Sequence, residues 1–174
     1  IFGASGDLTR RKLVPALHNL RRGGLLPDEF AVLGVARQPF TDEDFRKRIS
    51  EQLEDSDEPG DPACRNWVLE RSFYLGGDIE QPGIYEQIKK RLADMDAEFK
   101  TGGNYLYYLA VAPALFAPVV QHLGEAGLIE QADGRWRRVV IEKPFGVDLA
   151  SARALNQHIA QVLTESQTYR IDHY

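Results

Sequence analysis

The sequence lacks most of the features that mark a specialised chain. It has one cysteine, Cys64, among 174 residues. No internal disulfide can form, and this usage fits a reducing compartment, with the cytoplasm the expected address. No apolar run approaches the length of a bilayer span, so no membrane association is expected. Positive charge is not in excess. Lys and Arg number 21 against 26 Asp and Glu, for a net charge of −5. That balance argues against general nucleic-acid binding and leaves room for local basic pockets. There is no repeat, no low-complexity tract and no secretory signal pattern; the last absence excludes little, because Ile1 reads as the inside of a strand. No set of residues reads as a metal site.

What remains is ordinary globular material, 43% hydrophobic and 27% charged. The length suits one domain with a real core and is too short for two large ones, so a single domain over residues 1–174 is expected. The most linker-like stretch, residues 54–61, is acidic and contains Pro59-Gly60. It reads as a surface loop inside that domain.

Short apolar runs alternate with helical periodicity. Ile1-Phe2 reads as the end of a first strand. Residues 31–36, 72–75, 105–111, 138–141 and 168–171 supply five more. Between them, Phe45, Ile49 and Leu53 recur every four residues after a Thr41-x-x-Asp44 capping pattern. Pro82 is suited to open a helix with Tyr85, Ile88 and Leu92 on its inner face. Leu115, Val119 and Leu123 share a face of another. Asp148 is suited to cap a last helix bearing Ala152, Leu155, Ile159 and Val162. The expected fold is α/β: a Rossmann-like, doubly wound, mainly parallel sheet of about six strands with helices on both faces. Such sheets bind ligands outside the carboxyl ends of their strands.

The residues at those ends bear chemistry. Gly3-Ala4-Ser5-Gly6-Asp7-Leu8-Thr9 follows the first strand and precedes a helix. Glycines there let the backbone approach a pyrophosphate, and the helix N-terminus supplies N–H groups and a positive dipole end. A G-x-x-G spacing alone is a weak signal; its place between first strand and first helix strengthens it. Arg10, Arg11 and Lys12 follow, and at least two of them read as a solvated basic face. The next strand ends in Arg37. NAD-binding folds offer a carboxylate to the ribose hydroxyls in that region, whereas a guanidinium suits a 2′-phosphate, as in NADP. Alone, Arg37 would read as an exposed loop charge; behind the glycine loop the phosphate reading is preferred. Asp78-Ile79 stands where side chain and backbone would flank an adenine, and Asp78 serves equally well as a turn or cap residue. Glu142-Lys143-Pro144-Phe145-Gly146 follows a later strand. Lys143 is placed to reach substrate hydroxyls or phosphate, with Glu142 a candidate partner; a snorkelling surface lysine is the commoner case. Arg170-Ile171-Asp172-His173-Tyr174 closes the chain. Asp172 and His173 suggest proton transfer or anion binding, although neighbours in a strand point to opposite faces. His18, His122 and His158 lie in helical stretches and read as structural.

Together, Gly3-Ala4-Ser5-Gly6-Asp7-Leu8, Glu142-Lys143-Pro144-Phe145-Gly146 and Arg170-Ile171-Asp172-His173-Tyr174 resemble glucose-6-phosphate dehydrogenases in order and spacing. The resemblance covers that family's coenzyme domain alone; a large substrate and dimerisation domain would follow Tyr174. It implies oxidation of glucose 6-phosphate at C1 with hydride passing to NADP, in a homodimer or tetramer when full length. It implies a dinucleotide loop of Gly3, Ala4, Ser5, Gly6, Asp7, Leu8, Thr9 and Arg10, with Arg37 on the 2′-phosphate and Asp78 and Ile79 contacting coenzyme. Lys143 would stand between coenzyme and sugar, His173 would bind the substrate phosphate, and Asp172 would support catalysis. The catalytic base would be a histidine beyond Tyr174. Thr9, Ala112 and Phe116 depart from residues common in the family (Ala, Pro and Tyr), so no coenzyme contact is carried to Phe116. Two rival readings are a sugar dehydrogenase of the glucose-fructose oxidoreductase kind, which the closing motif disfavours, and a non-catalytic NADP-binding module.

Overall fold

The structure is a computed structural model that describes residues 1–54 and 61–171. Among the described residues five parallel strands form the sheet: β1 (Val32–Ala36), β2 (Ser72–Gly76), β3 (Tyr105–Leu109), β4 (Arg137–Glu142) and β5 (Thr168–Ile171). The expected count of about six is therefore one too many. Of the first run only Phe2 pairs, and it bridges Val35 of β1 on one side and Leu109 of β3 on the other. Only Ile1 and Phe2 stand ahead of the turn at Gly3 (φ +82°) in residues 1–174, too few for a ladder. Phe2 still does a central strand's work. Its N–H donates to the Tyr108 carbonyl at 2.9 Å, and its own carbonyl accepts from Ala110 N–H at 2.9 Å. The spatial order is β2-β1-Phe2-β3-β4-β5, so the winding reverses at Phe2. That reversal is the topological switch point of a doubly wound sheet.

Among the described residues six α-helices connect the strands: α1 (Val14–Arg22), α2 (Asp42–Glu54), α3 (Pro62–Glu70), α4 (Gly83–Phe99), α5 (Phe116–Glu125) and α6 (Leu149–Ala160). The expected caps form. Thr41 and Asp44 exchange side-chain and backbone hydrogen bonds at the start of α2, and Asp148 and Ser151 do the same for α6. The helix α3 has no counterpart in the sequence reading. It opens on Pro62 behind Asp61, whose carboxylate accepts from Ala63 N–H, and Val68 is its one buried residue. Residues 55–60, within the expected loop, lie outside the described residues.

Two apolar clusters flank the sheet. One joins Ala4, Val14, Ala36, Phe45, Ile49, Leu53, Val68 and Tyr74, where α1, α2 and α3 cover one face of β1 and β2. The larger one packs α4, α5 and α6 on the opposite face, through Phe2, Val35, Tyr107, Leu109, Val139 and Ile141. Helices thus cover both faces over β1 and β2. Over β3, β4 and β5 the apolar clusters lie on one face. No helix among the described residues is long and apolar enough to cross a membrane.

Candidate functional site

Of the sequence candidates, the glycine loop leaves the sheet at the switch point, and Arg37, Asp78 and Lys143 follow the carboxyl ends of β1, β2 and β4. Gly3 turns out of the Phe2 bridge so close to β3 that a Cβ there would sit 2.1 Å from the Ala110 carbonyl oxygen. No side chain fits. Its N–H donates to Val35 O at 2.8 Å and Ala4 N–H to the same oxygen at 3.2 Å, which ties the loop to the end of β1. Gly6 N–H closes the turn onto Gly3 O at 2.9 Å. Thr9 is buried, and its hydroxyl donates to that same Gly3 carbonyl at 3.2 Å. The departure from alanine at this position is therefore a tie that holds the turn.

The chain becomes helical at Asp7 and widens to a π-turn over Thr9–Leu13 before α1. Pro15 has no N–H to donate and crowds the preceding turn. Val14 N–H reaches back five residues to Thr9 O instead. Among the described residues, the N–H groups of Ser5, Asp7 and Leu8 donate to no protein acceptor. Three unspent donors around a glycine turn, at the positive end of a helix, form an anion cradle.

The charged neighbours are arranged unevenly. Arg10 and Arg11 both pair with Asp7, at 3.1 and 3.0 Å. Hydrogen bonding from Arg10 comes first among the causes that hold the Asp7 carboxyl below its ordinary range. Arg10 also donates to Gln52 of α2, so its guanidinium is spent on the fold's own surface. Arg37 differs. It is exposed just past β1, and among the described residues no acceptor holds it. The next residue, Gln38, accepts from the Ser5 hydroxyl at 2.5 Å and so joins the glycine loop to the loop that carries Arg37. Sequence reasoning passed over Gln38, because a lone glutamine after a strand carries no signal until its partner is seen.

Asp78 and Ile79 lie two and three residues past β2, which ends at Gly76. The Asp78 carboxylate accepts from Glu80 N–H at 3.1 Å, the turn arrangement. Ile79 is buried, and its carbonyl accepts from the Tyr85 hydroxyl at 2.8 Å. Glu142 ends β4 buried, and its carboxylate accepts from the Tyr108 hydroxyl. Burial and that carboxylate push the Tyr108 phenol above its ordinary range. Lys143 follows on an exposed bend, before a cis Pro144. Arg170 reaches back to Glu165 at 2.6 Å and to Asn156 of α6 at 3.1 Å. Asp172 and His173 lie outside the described residues, so the structure brings together the glycine loop and the loop of Arg37 and leaves the last motif unplaced past Ile171.

The model of the family described as "Glucose-6-phosphate dehydrogenase, NAD binding domain" matches residues 1–174. Glucose-6-phosphate 1-dehydrogenase of Bacillus subtilis (strain 168) is 40% identical over 175 residues, covering the whole chain and 34% of the relative. The Aggregatibacter actinomycetemcomitans protein of the same name is 40% identical over 174 residues, covering the whole chain and 35% of the relative. The crystal structure of the Mycobacterium avium glucose-6-phosphate 1-dehydrogenase matches with a TM-score of 0.85 at 36% identity, over 98% of this chain and 35% of that one. A glucose-6-phosphate dehydrogenase in complex with its substrate glucose-6-phosphate matches with a TM-score of 0.87 at 35% identity, over 99% and 35%. The chain spans about a third of the length of these relatives.

Proposed function

The chain belongs to the glucose-6-phosphate dehydrogenase family, and from that premise we propose that it is the NADP-binding domain of an enzyme that oxidises glucose 6-phosphate at C1. One observation carries the coenzyme choice: Arg37 stands exposed past β1 with no acceptor among the described residues, one hydrogen-bonded step from the glycine loop through Gln38 and Ser5. A planar guanidinium there suits a 2′-phosphate and offers nothing to two ribose hydroxyls that a carboxylate would not serve better.

In this reading the N–H groups of Ser5, Asp7 and Leu8 hold the pyrophosphate, with Gly3, Ala4 and Gly6 allowing its approach and Thr9 fixing the turn. Arg10 borders the loop. The turn of Asp78 and Ile79 walls the adenine side. Lys143 reaches from the end of β4 to the sugar, and His173 and Asp172 serve the substrate end, His173 on the sugar phosphate and Asp172 in support. Bound NADP would supply the hydride acceptor for C1. The proton leaving the C1 hydroxyl needs a base, which this reading assigns to a histidine outside residues 1–174. The domain's own contribution is to hold the coenzyme still while the sugar is brought against it. The cytoplasm is the proposed compartment, in keeping with the lone Cys64.

The test uses a full polypeptide containing this chain, supplied with glucose 6-phosphate or glucose and with NADP or NAD. The proposal expects reduced coenzyme from glucose 6-phosphate and the better kcat/KM with NADP. Equal turnover of free glucose would favour a sugar dehydrogenase of another kind.

A further inference from the structure

The carboxyl end of β4 carries a buried acid. Glu142, the last residue of that strand, is 8% exposed. A carboxylate taken out of water is costly unless hydrogen bonds replace its hydration. Here the Tyr108 hydroxyl donates to Glu142 Oε1, and a hydroxyl on a carboxylate is among the stronger hydrogen bonds. Burial, and then the Glu142 carboxylate, hold the Tyr108 phenol above its ordinary range, so the donor keeps its proton at neutral pH.

The pair joins two strands where their ladder has run out. The register of β3 and β4 goes from Tyr105 beside Arg137 to Leu109 beside Ile141. Glu142 stands one residue past its end, and Tyr108, one residue inside it, reaches Glu142 along the diagonal. The main chain of Tyr108 serves the neighbour on the other side of β3: its carbonyl accepts from Phe2 N–H at 2.9 Å. One tyrosine therefore holds the residue before Gly3 through its main chain and the residue before Lys143 through its side chain. Lys143 is exposed and lies between Glu142 and Pro144. A proline narrows the backbone choices of the residue ahead of it. With Glu142 pinned as well, the backbone of Lys143 is constrained from both sides.

We propose that Tyr108 and Glu142 are positioning residues for the sugar reaction: the pair fixes the end of β4 and, through it, the place of the Lys143 amine. The proposal rests on the reading in which Lys143 reaches the sugar. Its consequence falls on turnover, since a misplacement of about 1 Å at a reacting centre costs up to about 10²-fold in rate. The glycine loop keeps its own tie, because that one runs through the Tyr108 main chain.

The experiment is a double-mutant cycle in a full polypeptide containing this chain, read as kcat and KM for glucose 6-phosphate at saturating NADP. Tyr108→Phe removes the hydroxyl and keeps the ring and the main-chain bond to Phe2. Y108F should lower kcat/KM for the sugar by about 10-fold or more. Its NADP affinity, measured by calorimetry, should stay within about 2-fold of the parent. In a Lys143→Ala background the same substitution should change kcat/KM by no more than about 2-fold, because the group it positions is gone. Glu142→Gln keeps the shape and an acceptor without the charge; it runs the same cycle should Y108F fail to fold, and its loss should also vanish with Lys143. Equal losses from Y108F in both backgrounds would make the tyrosine a purely structural residue and overturn the proposal, as would an unchanged kcat/KM. Unchanged kinetics in Lys143→Ala alone would overturn the reading of Lys143, and the proposal with it.

Discussion

Arg37 leaves β1 with its guanidinium in solvent and, among the described residues, no acceptor. Arg10, four residues past the second glycine of the loop, is instead paired with Asp7. The two cations looked alike as residue types; their partners separate them. Arg37→Ala in a full polypeptide should weaken NADP by about 10- to 150-fold, the loss of one charge-assisted contact worth roughly 1.5–3 kcal/mol. NAD affinity should barely move, and equal losses for both coenzymes, measured by calorimetry, would assign Arg37 to the fold. Lys143→Ala should lower kcat and raise the KM for the sugar together, since the amine would both bind and orient it; unchanged kinetics would remove it from the site. Gly3→Ala should destabilise by more than about 1 kcal/mol in urea unfolding, because φ is positive and the new methyl meets the Ala110 backbone. At this scale the glycines and Arg37 were legible, because strand-end position and residue chemistry coincide. Gln38 and the tie from Thr9 to Gly3 were not, since both depend on partners that only the folded loop supplies.

Helix boundaries were the most legible elements. Thr41-x-x-Asp44 and Asp148-x-x-Ser151 form reciprocal caps, and Thr41→Ala should cost about 1 kcal/mol of stability in urea unfolding. The Asp148 carboxyl is held below its ordinary range, first by the Ser151 backbone N–H and then by its hydroxyl. A depressed folded value means the stabilisation is present above the unfolded Asp value, about pH 4, and is lost as pH falls through the folded one. Asp148→Asn caps without a charge. Its urea midpoint should therefore lie below that of the parent at neutral pH and converge with it in acid, and a constant gap across the acid range would show that the charge is irrelevant. The helix α3 escaped sequence reasoning because its signal is thin: one buried residue, Val68, in nine. The first strand was counted as a full one although residues 1–174 hold only Ile1 and Phe2 of it, and two residues make a bridge at Phe2, not a ladder.

For the whole molecule, strand–helix alternation made the doubly wound sheet legible, and the reversal of strand order around Phe2 places the glycine loop where such sheets bind ligands. The uneven burial of β3 and β5 was not legible. The run Tyr-Leu-Tyr-Tyr-Leu of β3 is apolar on both sides, as a strand buried on both faces would be, so the pattern could not reveal that Leu106 stands 53% exposed while Leu109 is wholly buried. If the catalytic base lies outside residues 1–174, as proposed, those residues alone should bind NADP weakly and oxidise nothing. Loss of general-base assistance alone removes about 10²- to 10⁴-fold in rate, and loss of sugar positioning removes more. The most direct measurement is a calorimetric titration of purified, folded residues 1–174 with NADP and, separately, with NAD. Saturable binding of NADP, tighter than that of NAD, is the predicted result. No binding of NADP at millimolar concentration to a protein whose fold is verified would contradict the assignment of the glycine loop and Arg37.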